Sequence, residues 1–420
     1  MSILIKKVQL NFKTVDILIK GNRIVKIAEN IEEKVDQEID GKNKAALPTF
    51  HNVHTHAAMT LLRGYADDLP LHTWLEQYIW PFEQKLTFED VYIGSKLACL
   101  EMIKSGTTFF CDMYWHPLAT KQAVEEMGIR AALSTVFVDF NDNKKAKHFK
   151  ERTERFFAEN QDSERVFFIL GPHAIYTVSR ESLLWLKDFA QARDLFIHIH
   201  LAETKKELED CRKTYGLTPV RYLDSLGFLG PKVVVAHSIW VDEEEMEILA
   251  RREVKVVHVP SSNIKLASGL FPYAPMKEKG VFLSLGTDGC ASNNNLDMFE
   301  EMMVASFNAK IYAQSPSSLP AEEAFALATK QGAWAFGLDS GEIKEGKLAD
   351  LMLVNLNHYL LVPNHNLISN LVYSANPACL DTVICDGKVL MEKGKVEGEE
   401  DIIEEARECV QRILERVRKG

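Results

Sequence analysis

The chain opens with short runs in which apolar and polar residues alternate. Residues 3–10, 14–20 and 23–27 fit this two-residue period, and Gly21-Asn22 between the last two marks a hairpin turn. The same texture returns near the end at 349–355 and 380–385, where Asp386-Gly387 sets a turn before 389–391. Between these ends the pattern changes. Apolar stretches such as Val233-Val234-Val235-Ala236 are continuous, as in strands covered on both faces. They alternate with segments of helical period such as 180–193 and 242–252. The strands end near His54, Cys111, Val138, Gly171, His200, His237, Val259 and Asp288. Eight strand–helix units predict an α/β chain built on a parallel (β/α)8 barrel of the TIM type. The two chain ends predict a small β-sandwich domain made jointly, because domain termini often lie close together. The expected division is 1–47 for the first part of the β-domain, 48–344 for the barrel, and 345–420 for the rest of the β-domain plus a terminal helix.

Two segments depart from the alternation. Residues 57–87 form a long connection after the first barrel strand, carrying Gly64, Pro70, Pro81 and many aromatics. Such loops often serve as active-site lids. At the other end, Ile402, Ile403, Ala406, Val410, Ile413, Leu414 and Val417 have amphipathic helical spacing. That helix is expected to pack on the barrel or on a second copy in a homo-oligomer.

Composition narrows the function class. A length of 420 residues, with 46% hydrophobic and 26% charged, supplies a core for a large barrel and an accessory domain. The net charge of -11 repels polyanions, so nucleic acid is not expected as a partner. Lysines interrupt the N-terminal apolar run too early for a signal peptide, and no run approaches the roughly 18 apolar residues of a membrane helix. Cys99, Cys111, Cys211, Cys290, Cys379, Cys385 and Cys409 are scattered without a CxxC. An odd, unpatterned set suggests reduced thiols and a cytoplasmic location.

The chemistry gathers at the expected C-terminal ends of strands. His54 and His56 stand one residue apart, so in a strand they face the same way and can hold one metal ion. His198-Ile199-His200 repeats the pattern on the fifth strand, followed by Glu203; His237 ends the sixth and Asp288 the eighth. Any one of these alone reads equally well as a hydrogen-bonded core residue. Four strand ends carrying polar groups that are costly to bury singly are better explained by a shared metal site.

These residues sit in a recognisable set: His54-Thr55-His56, Met59-Thr60-Leu61-Leu62-Arg63-Gly64, Asp67-Asp68-Leu69-Pro70, Trp80-Pro81-Phe82-Glu83, Gly171-Pro172-His173, His200-Leu201-Ala202-Glu203-Thr204, Ala236-His237-Ser238, Ser262-Asn263-Ile264-Lys265 and Gly286-Thr287-Asp288-Gly289. The chain resembles the amidohydrolase superfamily, and within it the 5'-methylthioadenosine/S-adenosylhomocysteine deaminases. The resemblance implies that His54, His56, His200 and Asp288 bind one divalent metal, usually zinc. His198 is left a structural or supporting role. The fourth strand has no lysine to bridge two metals, which favours a mononuclear site. The implied reaction is hydrolytic deamination at C6 of an adenosine-type nucleoside by a metal-activated hydroxide. Glu203 would carry protons, His237 would orient the hydroxide, and Asp288 would act as ligand and proton acceptor. Glu83 and His173 match substrate-contacting positions, Glu83 at the ribose hydroxyls.

The HxE and PCxxC signature of the other zinc deaminases is absent. Two rival readings stand: a related hydrolase of guanine or a chlorotriazine, and a non-catalytic barrel scaffold. Some family members bind an amino-acid tail on the nucleoside through an arginine after the third strand, where Val136 aligns here. A second arginine falls near Lys144, Lys145, Lys147 and His148. Lysine lacks the bidentate fork of arginine, so small or uncharged 5'-groups are the expected preference. The segment 144–155 also reads as a solvated basic helix face.

Overall fold

The computed structural model describes residues 1–419. Eight parallel strands form the barrel: β6 (Phe50–Thr55), β7 (Thr107–Asp112), β8 (Arg130–Phe137), β9 (Val166–Pro172), β10 (Ile197–Leu201), β11 (Val233–His237), β12 (Lys255–His258) and β13 (Phe282–Leu285). They pair in chain order, and the ring closes where the amides of Thr287 and Asp288 donate to the His54 carbonyl. Gly286 permits that closure, since a Cβ there would stand 2.7 Å from the His54 nitrogen. Val53, Phe109, Ala132, Ile169, Val234 and Val257 fill the lower interior. Alternate residues such as Ile197, Ile199 and Leu201 bury against the outer helices. Capping boxes start two of those helices, Thr87 with Asp90 and Asp242 with Glu245, satisfying backbone amides that otherwise lack partners.

The chain ends share one mixed sheet in the order β16-β15-β14-β5-β1-β2-β3, with β4 beside β1. Its strands are β1 (Ser2–Leu10), β2 (Lys13–Lys20), β3 (Arg23–Ala28), β4 (Gln37–Asp40), β5 (Lys44–Pro48), β14 (Leu351–Asn355), β15 (Leu380–Cys385) and β16 (Lys388–Met391). Ile3, Ile5, Ile17 and Ile19 from the first end and Leu351, Leu353 and Ile384 from the second form one apolar core. Arg130 at the base of β8 ties barrel to sheet through buried Asp350, 2.6 Å away. The terminal helix Glu399–Lys419 buries Ile402, Ala406, Cys409 and Ile413, and its Arg416 pairs with Asp90 of the first barrel helix at 2.6 Å. Its apolar stripe is thus occupied by the chain's own barrel. All seven cysteines are buried and unpaired. No helix among the described residues is long and apolar enough to cross a membrane.

Candidate metal centre and substrate cavity

The polar strand ends converge at one end of a cavity of about 800 Å³. The i, i+2 spacing on β6 brings the His54 and His56 rings to 4.9 Å between centroids, and His200 from β10 stands 4.9 Å from His54. His56 Nε2 lies 3.2 Å and His54 Nε2 3.4 Å from Asp288 Oδ1, and His200 Nε2 lies 3.4 Å from His56 Nε2. Donors held tetrahedrally around a zinc ion by bonds of about 2.0–2.1 Å stand about 3.3–3.4 Å apart. These three spacings are of the size expected between donors that share one ion.

The far ring nitrogens aim the near ones. His56 Nδ1 donates to the Met113 carbonyl at 2.6 Å, and His200 Nδ1 donates to the His173 carbonyl at 2.7 Å. A neutral imidazole has one proton, so each Nε2 is left with a bare lone pair. His54 Nε2 is fully buried and has no hydrogen-bond partner among the described residues. Burial opposes charge on Asp288, yet His54 and His56 hold its carboxylate well below the usual range. Burial likewise opposes charge on His56, but Asp288 outweighs it and pushes the imidazole up to about 9, so a proton holds His56 Nε2 until an ion displaces it. The spot draws positive charge. Bare imidazole nitrogens, a carboxylate and the right spacing fit a single divalent ion of the zinc type.

The remaining residues are set by unusual backbone. Ala202, His237, Ser238 and Asp288 all have φ between 51° and 72°. For non-glycine residues this conformation costs about 1–2 kcal/mol each and is tolerated chiefly where it aims a side chain. The Glu207 carboxylate clamps the turn after β10, accepting from the amides of Ala202 and Glu203 at 2.9 Å each. Glu203 then faces the cavity with Oε2 3.8 Å from His237 Nε2, and burial raises its pKa. His237 is held by Asn263, whose Oδ1 accepts from Nδ1 at 2.8 Å. Asp288 lies three residues past β13, beyond the strand end expected for it, and Ser262 donates to its Oδ2 at 2.6 Å. Neither Asn263, Ser262 nor Glu207 was singled out for these contacts by the sequence.

The segment after β6 covers the cavity with helical turns at Leu71–Trp74, Leu75–Ile79 and Trp80–Glu83. Trp74, Leu75, Ile79 and Phe82 pack with Met59, Leu61 and Tyr114, and Lys265 ties down Asp67 at 2.5 Å. Glu83 lines the cavity and accepts from Trp115 Nε1 at 3.2 Å; burial raises its pKa. His173 also lines it, with Nδ1 3.0 Å from Thr177 Oγ1, and burial lowers its pKa to about 3. Val136, Val138, Phe140 and Phe149 form an apolar wall. Lys145, His148 and Arg152 line the cavity where they remain exposed to solvent. Lys147 does not line it and has 79% of its side chain exposed, and Lys144 does not line it either.

The barrel with its cluster of imidazoles and carboxylate defines a metal-dependent hydrolase fold, and comparisons with known proteins agree. The amidohydrolase family model matches residues 45–390, and the chain belongs to that family. It is 47% identical over 399 residues to the 5-methylthioadenosine/S-adenosylhomocysteine deaminase 1 of Archaeoglobus fulgidus, covering 94% of each chain. It is also 47% identical over 393 residues to the 5'-deoxyadenosine deaminase of Methanospirillum hungatei, covering 93% of this chain and 88% of that one. Among solved structures, an adenosine deaminase from Xanthomonas campestris with bound zinc superposes with a TM-score of 0.93 at 32% identity, covering 98% of each chain.

Proposed function

We propose that the chain is a zinc-dependent aminohydrolase that replaces the 6-amino group of an adenosine-type nucleoside by oxygen and releases ammonia. Its substrates are drawn from 5'-methylthioadenosine, S-adenosylhomocysteine, 5'-deoxyadenosine and adenosine. The observation that carries this reading is the convergence of His54, His56, His200 and Asp288 beside Glu203 and His237. When bound, the ion acidifies a water toward a pKa of about 7 and makes it nucleophilic. Glu203 takes a proton from that water and delivers it to purine N1, so no negative charge builds on the ring. His237 holds the attacking oxygen against C6. Asp288 takes the second proton and returns it to the departing amine. His173 contacts the base, and Glu83 accepts from the ribose hydroxyls. The buried, unpaired thiols support a cytoplasmic setting. The direct test is to incubate zinc-loaded protein with each nucleoside, with guanine and with a chlorotriazine, and to follow the inosine-type absorbance change. Turnover of guanine or the triazine alone would replace this reading with its enzymatic rival; no turnover of any would leave the scaffold.

Glu83 distinguishes a nucleoside enzyme from one acting on a free base. One carboxylate can accept from two vicinal hydroxyls at once. Glu83→Ala is therefore expected to raise KM for adenosine by 10-fold or more, about the value of one charged hydrogen bond. A 2',3'-dideoxy analogue should show little change. Equal losses on both substrates would remove Glu83 from the sugar.

We expect the 5'-group to lie against Val136, Val138, Phe140 and Phe149, which line the cavity together with Lys145 and Arg152. The two cationic side chains are solvated, and an exposed ion pair is worth about 0.2–1 kcal/mol, a factor of roughly five at most. The kcat/KM for 5'-methylthioadenosine and 5'-deoxyadenosine should accordingly equal or exceed that for S-adenosylhomocysteine. Arg152→Ala should cost at most about fivefold, on S-adenosylhomocysteine alone. A strong preference for S-adenosylhomocysteine that collapses in this variant would overturn the assignment of specificity to the wall.

A further inference from the structure

His198 is fully buried in the barrel interior, two residues before His200 on β10. Its Nε2 lies 2.7 Å from His54 Nδ1, and its Nδ1 lies 3.2 Å from the Val234 carbonyl. Among the described residues these are its two polar contacts, and neither is a carboxylate. A carbonyl only accepts, so the bond to Val234 requires the His198 proton on Nδ1. A second proton would create a buried cation with no acid beside it, which is costly. His198 is therefore neutral, and its Nε2 is a lone pair. The 2.7 Å contact then needs its proton from His54 Nδ1, which leaves His54 Nε2 without one.

From this chain of donors we infer that His198 is a positioning residue of the metal centre, a relay that passes the hydrogen-bond demand of His54 to the Val234 carbonyl and leaves His54 Nε2 free for the ion. His56 and His200 achieve the same through direct bonds to the carbonyls of Met113 and His173. His54 has an imidazole in that place. When His54 takes on an ion, its Nδ1 proton becomes more acidic and the bond to the basic Nε2 of His198 tightens. The ion thus feels a histidine it does not touch. This inference rests on the proposed metal site, and it gives His198 a definite task in place of generic core packing.

The test compares zinc affinity, by competition with a chromophoric chelator, in wild-type protein, His198→Phe and His198→Gln. Phenylalanine fills the volume but strands the His54 Nδ1 proton. Glutamine places an oxygen near the former Nε2 and can accept that proton. Partners of this kind typically govern about 10–100-fold in metal affinity. His198→Phe is expected to lose that much, and His198→Gln to recover most of it, with melting temperatures of the zinc-free proteins showing that both fold. Equal zinc affinity in wild type and His198→Phe overturns the relay, as does a glutamine variant no better than phenylalanine. A second measurement needs no variant. In zinc-loaded wild-type protein labelled at the histidine nitrogens, NMR should show one imidazole N–H donating to a second imidazole nitrogen, with the acceptor protonated at Nδ1. An acceptor protonated at Nε2 overturns the relay. Failure of wild-type protein to bind zinc at all would instead fall on the proposed function.

Discussion

Glu203→Gln should retain its zinc and lose between about 10² and 10⁴ in kcat, the usual contribution of a general acid–base group. The upper part of that range is expected, because one residue serves two proton transfers, from water and to N1. The substitution is nearly isosteric, and the Glu203 amide bond to Glu207 is untouched by it. Glutamine also keeps an oxygen able to accept from Ser268, whose Oγ stands 3.5 Å from Oε1. Geometry and binding therefore survive while proton transfer does not. Burial raises the Glu203 pKa, which brings the carboxyl closer to neutrality and makes it a better donor to a ring nitrogen. Metal content by elemental analysis and single-turnover rates would separate the effects. A near-wild-type rate would assign the proton to another group, with His237, 3.8 Å away, the first to test. A loss of zinc along with activity would make Glu203 a structural member of the centre.

Much of this site was legible because its chemistry is local in sequence. His54 and His56 need only the two-residue strand period to share a face. Glu203 needs only to follow His200. What was not legible depends on distant segments. Strand β4 has one buried apolar residue, Ile39, and exists because it pairs in parallel with β1. The turn that aims Glu203 depends on a left-handed Ala202 and on the Glu207 clamp, which no period reveals. Asp288 reaches the centre from a turn that closes the barrel, a consequence of strand order rather than strand pattern.

Two features were within reach of the sequence and were missed or left open. Leu71, Trp74, Leu75, Ile79 and Phe82 have helical spacing, but Pro70 and Pro81 at the edges made the segment look like loop. Pro81 in fact falls near the end of one helical run over 71–83, directly after the wide turn Leu75–Ile79. Lys145, His148, Phe149 and Arg152 sit three or four residues apart, on one face of the helix Asn143–Glu159. In the sequence that face stayed open between a solvated basic surface and a border of the 5'-group. It borders the cavity, and Phe149 was the signal.

Removing a metal ligand should have the largest effect of all. His200→Ala is expected to bring zinc retention after dialysis to background and deamination below detection. The side chain supplies one of the converging donors. His173 is next to it, with ring centroids 4.8 Å apart, but its Nδ1 is engaged by Thr177. His198 is engaged by His54 and Val234. His237 is near enough to compete, since its ligand atom clusters with those of His54 and Asp288. Its use as a ligand would take it from the substrate, so residual zinc in this variant should remain unproductive. A stability measurement gives an independent reading. An ion present at 100 times its dissociation constant stabilises the folded chain by about 2.7 kcal/mol. A chelator should therefore lower the Tm of wild-type protein and leave that of His200→Ala unchanged. The variant should still fold, because the lower interior is closed by Val53, Phe109, Ile169 and Val257 without help from the ion. Full activity in a zinc-free variant would end the metal-dependent reading, and equal chelator shifts in both proteins would move the ion away from His200.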